Sequence, residues 1–282
     1  MLFSALVCSL QLCPETADAY FVGSGYYGSY RYDGSPSHYD EGVKDKTGSN
    51  FTFDDTKGDT IPDSQKGTRK VYGGCLYHNL WANKNGLPDT VVVENNSLTL
   101  TKKTLTNSDY SIYGGYVRGN SGTHTLNNNH VNISGPDLSL VHGSIYGSCA
   151  YEGEFVKAQN SSVTLTDVTF SMIVNGGYFN TVAGGSAYSS ASWSGEEKII
   201  RTAESTNNRA TLNNVTIKEQ QDSSGISSSI RFFGGYAGGY AETTASSNTL
   251  VLNNVNYTGD KTAIVTQGWY FNSTYLLEYF LE

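Results

Sequence analysis

Side chains able to do chemistry are few in this chain, and they are scattered. The five histidines are His38, His78, His124, His130 and His142. None has the H-E-x-x-H spacing that brings two imidazoles to one zinc ion. His124 and His130 flank Leu126 on a segment that alternates like a strand, which makes them surface or ladder residues. A polysaccharide hydrolase needs two or three carboxylates gathered on one face. The carboxylates inside the repeats are spread out: Asp109, Asp137, Glu152, Glu154 and Asp167. Glu152 and Glu154 are the best available pair, on one side of an expected strand, where a solvated strand face is the expected role. Asp54, Asp55, Asp59 and Asp63 cluster without the D-x-[DN]-x-[DN]-G loop that wraps Ca²⁺. Gly23-Ser24-Gly25-Tyr26-Tyr27-Gly28 matches G-x-G-x-x-G in letters, but no helix-forming run follows to receive a phosphate. The sequence therefore designates no catalytic, cofactor-binding or metal-ligating residue and implies no cofactor. The net charge of -8 comes without a Lys/Arg stripe, so nucleic acid is not an expected partner.

What must position any site is a repeated frame. One phrase reads Val71-Tyr72-Gly73-Gly74-Cys75, Ile112-Tyr113-Gly114-Gly115-Tyr116 and Ile145-Tyr146-Gly147-Ser148-Cys149, with looser copies at Val174-Asn175-Gly176-Gly177-Tyr178 and Phe232-Phe233-Gly234-Gly235-Tyr236. A second phrase is clearest at Leu212-Asn213-Asn214-Val215-Thr216-Ile217 and Leu252-Asn253-Asn254-Val255-Asn256-Tyr257. Fixed phrases at intervals of tens of residues signal stacked units that bury their apolar faces against each other. Within the second phrase apolar and polar residues alternate, then slip phase by one residue at Asn-Asn. Two strands facing one core across a sharp bend have that phase, and Asn tolerates the left-handed backbone of such a bend. Stacked Asn side chains can also bond from layer to layer.

These features predict an all-β chain, a right-handed parallel β-helix (β-solenoid) with an N-terminal cap or disordered segment. Intervals of 39 residues from Leu126 to Leu165, 47 to Leu212 and 40 to Leu252 set the repeat. Three short strands plus bends take about 20 residues, so each repeat is expected to hold two coils. At ~4.8 Å per layer this gives roughly ten coils and about 50 Å from Val71 onward. Tyr72, Tyr113 and Tyr146 are expected to stack as a structural ladder. Cys75 and Cys149 fall at one repeat position with Tyr116 between, two layers or about 9.5 Å apart, beyond the roughly 7 Å reach of a disulfide.

Four segments follow from composition. Residues 1–19 read as a signal peptide, with an apolar run Leu2 to Leu12 and a small-x-small site at Ala17-Asp18-Ala19. Residues 20–70 are a Tyr/Gly/Asp-rich cap or flexible segment, in which Tyr26, Tyr27, Tyr30, Tyr32 and Tyr39 pack a cap or present an aromatic surface. Residues 71–260 are the solenoid repeats, with Ser189 to Arg201 and Lys218 to Ser229 as exposed loops. Residues 261–282 are a C-terminal cap or a truncated end.

The Val/Ile-Tyr-Gly-Gly-Tyr and Leu-Asn-Asn-Val phrases, over Val71 to Asp260, resemble the repeats of bacterial autotransporter passengers and related surface adhesins. The resemblance implies export by a signal, a right-handed β-helical passenger and a C-terminal barrel in an outer membrane. Lys261 to Glu282 is too short for that barrel, whose strands need ~9–11 residues each, so outer-membrane contact would run through a separate or missing barrel. The function expected is that of an exported, non-catalytic surface passenger or adhesin, with a host glycan or surface protein as partner. The alternative is a carbohydrate-active β-helix enzyme, a lyase or hydrolase.

Overall fold

The structure is a computed structural model. It describes residues 20–30, 36–39, 47–62, 70–78, 90–106, 111–119, 122–139, 143–173, 180–189, 201–220, 230–239, 241–258 and 264–267. The expected signal peptide, Asp63, Asp109, His142, Tyr32 and the aromatic tail beyond Gln267 lie outside these residues, as does the Gly-Gly copy at 174–178.

The described residues form a parallel β-solenoid of four stacked sheets. Sheet A stacks Tyr20–Tyr30, Lys70–His78, Ser111–Arg118, Ile145–Tyr151, Asn180–Ser189, Ile230–Gly239 and Ile264–Gln267 in parallel, with Pro36–Tyr39 antiparallel at its N-terminal edge. Sheet B stacks Thr52–Asp54, Ser97–Thr101, His130–Ser134, Ser162–Thr166, Arg209–Asn213 and Thr249–Asn253. Sheet C runs from Thr90–Glu94 to Glu242–Ser246, and sheet D from Asp137–Ser139 to Asn256–Thr258. A complete layer visits A, C, B and D in turn, as in Ile145–Tyr151, Phe155–Gln159, Ser162–Thr166 and Thr169–Ile173. The first layer of sheets A and B is already built by Tyr20–Tyr30 and Thr52–Asp54, upstream of Val71.

Period-two alternation decides which way each residue faces. In Ser162–Thr166, Val163 and Leu165 are fully buried while Ser162, Thr164 and Thr166 line the outer face. Burying each such aliphatic contributes about 1.5–3 kcal/mol. The phase slip works as the sequence predicts. Leu212 and Val215 both point into the core, and Asn214 between them turns at φ 54. The corner between sheets C and B is turned the same way by Asn50, Asn95, Asn128, Asn160 and Asn207, at φ 52 to 61. An L residue in this left-handed region is strained, and Asn tolerates it best among non-glycines.

The residue after Asn95, Asn128, Asn160 and Asn207 explains the Gly-Gly phrase. Asn96, Asn129 and Asn208 are buried, and each side chain ties two layers together. Asn129 accepts from the Asn96 N–H (3.1 Å) and donates to the Val93 carbonyl (3.1 Å) of the layer before. Asn208 likewise accepts from the Ser161 N–H (3.0 Å) and donates to the Ala158 carbonyl (2.9 Å). These amides thus satisfy backbone groups at a corner, where an unpaired buried group costs about 1–3 kcal/mol. The second glycine of each phrase makes the room. A Cβ on Gly74, Gly115, Gly185 or Gly235 would lie 2.3–2.5 Å from the facing Asn96, Asn129, Asn208 or Asn248. In the one complete layer with a smaller corner residue, Ser161, the facing position is Ser148 instead, and their hydroxyls meet at 2.7 Å. The Gly-Gly strand thus pinches against the corner and splits the core. One lobe packs Ile112, Ile145 and Val182 against sheets B and D; the other packs Val117 and Ala150 against sheet C.

Three expectations change. Tyr72, Tyr113, Tyr146, Ala183 and Phe233 share one column of sheet A, so one repeat is one coil of 33 to 50 residues rather than two coils of about 20. The six parallel strands of sheet A from Lys70–His78 onward then span about 24 Å at ~4.8 Å per step, not about 50 Å. Second, the sheet-A strand of the fifth layer carries Val182-Ala183-Gly184-Gly185-Ser186, a copy the sequence did not single out, which pairs with Ile145 to Cys149. Third, Leu165 is level with Ile133, not with Leu126, which belongs to sheet C.

Candidate functional site

Sheet B presents a flat outer face built from rows of short polar side chains. One column runs Thr52, Ser97, His130, Ser162, Arg209 and Thr249, one residue per layer. Neighbouring layers are about 4.8 Å apart, so side chains in this column meet. His130 Nδ1 lies 2.8 Å from Ser162 Oγ, and His130 Nε2 lies 2.9 Å from Asn128 Oδ1. The proton positions follow from the amide. Asn128 Nδ2 donates to Asn95 Oδ1 at 2.8 Å, which fixes Asn128 Oδ1 as the atom facing the imidazole. An oxygen acceptor there requires Nε2 to carry the proton, leaving Nδ1 bare to accept from the Ser162 hydroxyl. The result is a relay in which Ser162 donates to His130 and His130 donates to Asn128. His130 is half-buried, and desolvation holds its imidazole below the usual 6.5. Its backbone is pinned by His130 N–H to Asn96 O (2.8 Å), as Ser162 is by its N–H to Asn129 O (2.9 Å). Arg209 stands one layer beyond Ser162, its Nε donating to Thr211 Oγ1 at 3.1 Å.

The outer face of sheet A is different, being lined with aromatics. Tyr72 and Tyr113 stack at 5.0 Å and 9°, and Tyr113 and Tyr146 at 5.6 Å and 15°, forming the ladder the sequence predicts. Their π-faces are spent on each other, and the column packs into a buried cluster with Val22, Cys75 and Tyr77, which makes it structural. Desolvation raises the phenols of Tyr113, Tyr116 and Tyr146 above the usual value. Cys75, Tyr116 and Cys149 form the adjacent column. The two cysteines are thus two layers apart and buried, and neither forms a disulfide, as expected. At the edge of this face Arg118 lies between Tyr77 (5.5 Å) and Tyr151 (5.2 Å) and forks onto Glu152 at 2.7 and 3.1 Å.

Most residues the sequence put forward do not come together. Glu152 turns at φ 60 between Ile145–Tyr151 and Phe155–Gln159, so Glu152 and Glu154 do not share a strand face. Glu152 is also committed to Arg118. His124 is fully buried rather than on the surface, because it is in phase with Leu126 and faces inward where adjacent layers carry Val91 and Val156. Gly153 makes room for it, since a Cβ there would sit 2.6 Å from His124 Nδ1. His130, out of phase with Val131, is the ladder residue. Asp54 caps a 3₁₀ turn at Asp55–Lys57, Asp55 accepts from the Thr101 N–H at 2.7 Å, and Asp59 accepts from the Asp54 N–H at 2.7 Å. Among the described residues no three His, Cys, Asp or Glu gather as for a metal. Gly23 gives space to the Phe51 ring, which would overlap a Cβ there, so that glycine run serves packing. His38 and His78 lie in strands of sheet A.

The His130–Ser162 contact was not visible in the sequence, because 32 residues separate the pair and only strand register joins them. A signal did exist. Both residues directly follow the corner pairs Asn128-Asn129 and Asn160-Ser161, and so hold one position of two coils. Comparison with protein-family models, curated proteins and solved structures found no match to the chain.

Proposed function

We propose that this chain is an exported β-solenoid displayed on a bacterial cell surface, where it binds a host glycan or surface protein or serves as a stalk. One observation carries the reading: the frame is constant inside while an outward column of sheet B varies from layer to layer. The Asn–Gly contact and the aliphatic core recur from coil to coil, whereas one outward column reads Ser97, His130, Ser162, Arg209 and Thr249. A frame that accepts Ser, His, Arg and Thr at one outward position suits display of a binding surface, and the fold alone names no ligand. The resemblance of Val71 to Asp260 to autotransporter passengers and the apolar run before Ala17-Asp18-Ala19 support the same role. Protease treatment of intact expressing cells tests it. The reading expects the protein to be cleaved from outside and its mature N-terminus to be Tyr20. Full protection, with the protein recovered uncleaved from the cytosol, overturns it. Binding to immobilised glycans and host-cell extracts then separates an adhesin from a spacer.

A further inference from the structure

We propose that Ser162, His130 and Asn128 form a Ser-His-Asn acyl-transfer site on the outer face of sheet B, which cleaves small carboxylic esters carried on an extended polymer. The three side chains lie in series at 2.8 and 2.9 Å, and the Asn95–Asn128 bond fixes the direction of the series. A nucleophile within hydrogen-bond reach of a base, itself oriented by a third group, is the arrangement that activates a hydroxyl. The ring nitrogens are used in the reverse of the usual order, with Nδ1 toward the serine, and the relay is chemically equivalent.

The reaction balances with these groups and water. Ser162 Oγ bonds to the ester carbonyl carbon while its proton passes to His130 Nδ1. The tetrahedral adduct collapses, the carbon–oxygen bond to the alcohol breaks, and the departing alkoxide takes the proton from His130. Water then attacks the acyl-serine with His130 as base, releasing the acid and restoring the Ser162 hydroxyl. The Ser162 N–H is occupied by Asn129 O, so a side chain must stabilise the oxyanion. Arg209 is the cation next to Ser162 in its column and takes that role. Stabilisation by one exposed guanidinium suits an ester, whose alkoxide leaves readily, better than an amide. The face of sheet B suits an acyl group on a polymer or surface, since His130 and Ser162 are only part-buried there and Arg209 is exposed. Asn128 acts through the imidazole and is a positioning residue.

The test is labelling of the intact protein by a fluorophosphonate, with the modified residue located by mass spectrometry, alongside hydrolysis of p-nitrophenyl acetate. Labelling is expected at Ser162. Ser162→Ala abolishes it, and His130→Gln lowers its rate by about 10²–10⁴-fold, the usual contribution of a general base. Asn128→Asp is expected to raise the rate, because a carboxylate stabilises the imidazolium better than an amide; Asp167 shows that Asp tolerates a corner at φ 54. A purely structural role for Asn128 predicts no such gain. Circular dichroism of each variant establishes that it is folded. The proposal is overturned if the folded protein is neither labelled nor active, or if turnover survives Ser162→Ala unchanged.

Discussion

Replacing Gly115 by serine tests the glycine–asparagine contact that recurs at Gly74, Gly115, Gly185 and Gly235. A Cβ at Gly115 would lie 2.5 Å from Asn129 Nδ2 and 2.7 Å from its Cγ. Asn129 is fully buried and cannot swing away without dropping its bonds to Val93 O, Ser148 Oγ and the Asn96 N–H. Overpacking costs about 1–3 kcal/mol, and each buried group left unpaired about 1–3 kcal/mol more. Gly115→Ser alone should therefore destabilise by about 2–6 kcal/mol, allowing one lost bond beside the steric cost. Asn129→Ser alone should cost about 1–3 kcal/mol, from the backbone groups it leaves behind. The double variant recreates the Ser148–Ser161 pairing that the next layer already uses. It should be more stable than the two single losses summed, by about 1–3 kcal/mol of coupling, within the range for residues in contact. Urea unfolding followed by circular dichroism on all four proteins measures that coupling. Strictly additive losses, or a harmless Gly115→Ser, would refute the reasoning.

Three further outcomes are expected. Asn214, at φ 54, should accept glycine with little loss, while Asn214→Val should cost about 1–3 kcal/mol of backbone strain, read as a shift in thermal midpoint. Burial pushes the Cys149 thiol up to about 12 from 9.0, so the folded state holds that proton more tightly than the unfolded state. The associated stability is present below about pH 9 and is lost as pH rises toward 12; Tyr113 and Tyr146 act in the same direction, so part of the phenolate absorbance should appear only with unfolding. Arg118→Ala should cost about 1 kcal/mol, because the pair with Glu152 is partly exposed and the ring contacts are modest; denaturant midpoints check this.

Much of the frame could be read from the residues. The alternation in Val163-Thr164-Leu165-Thr166 placed two side chains inward, and the slip at Asn213-Asn214 located a corner. Coil length could not be read, because the connections differ so widely. Three residues join Tyr151 to Phe155, whereas twelve separate Ser189 from Thr202. Letters alone did not single out Val182-Ala183-Gly184-Gly185-Ser186 as a copy of the Gly-Gly phrase. What marks it is that Gly185 faces Asn208, a pairing 23 residues away. The His130–Ser162 contact was hidden for the same reason. The strongest local signals, the acidic pair Glu152 and Glu154 and the glycine run at Gly23, were absorbed by an ion pair and by packing.

The one-coil register underlies both the frame and the column that joins His130, Ser162 and Arg209. Spin labels on Thr52→Cys and Thr249→Cys, with Cys8 and Cys13 replaced by serine, test it most directly. Both positions are exposed and lie in one column five layers apart. Double electron–electron resonance should give a backbone separation of about 24 Å, five steps of ~4.8 Å. A separation near 48 Å, two coils to each repeat at the same spacing, would contradict the register and the site built on it.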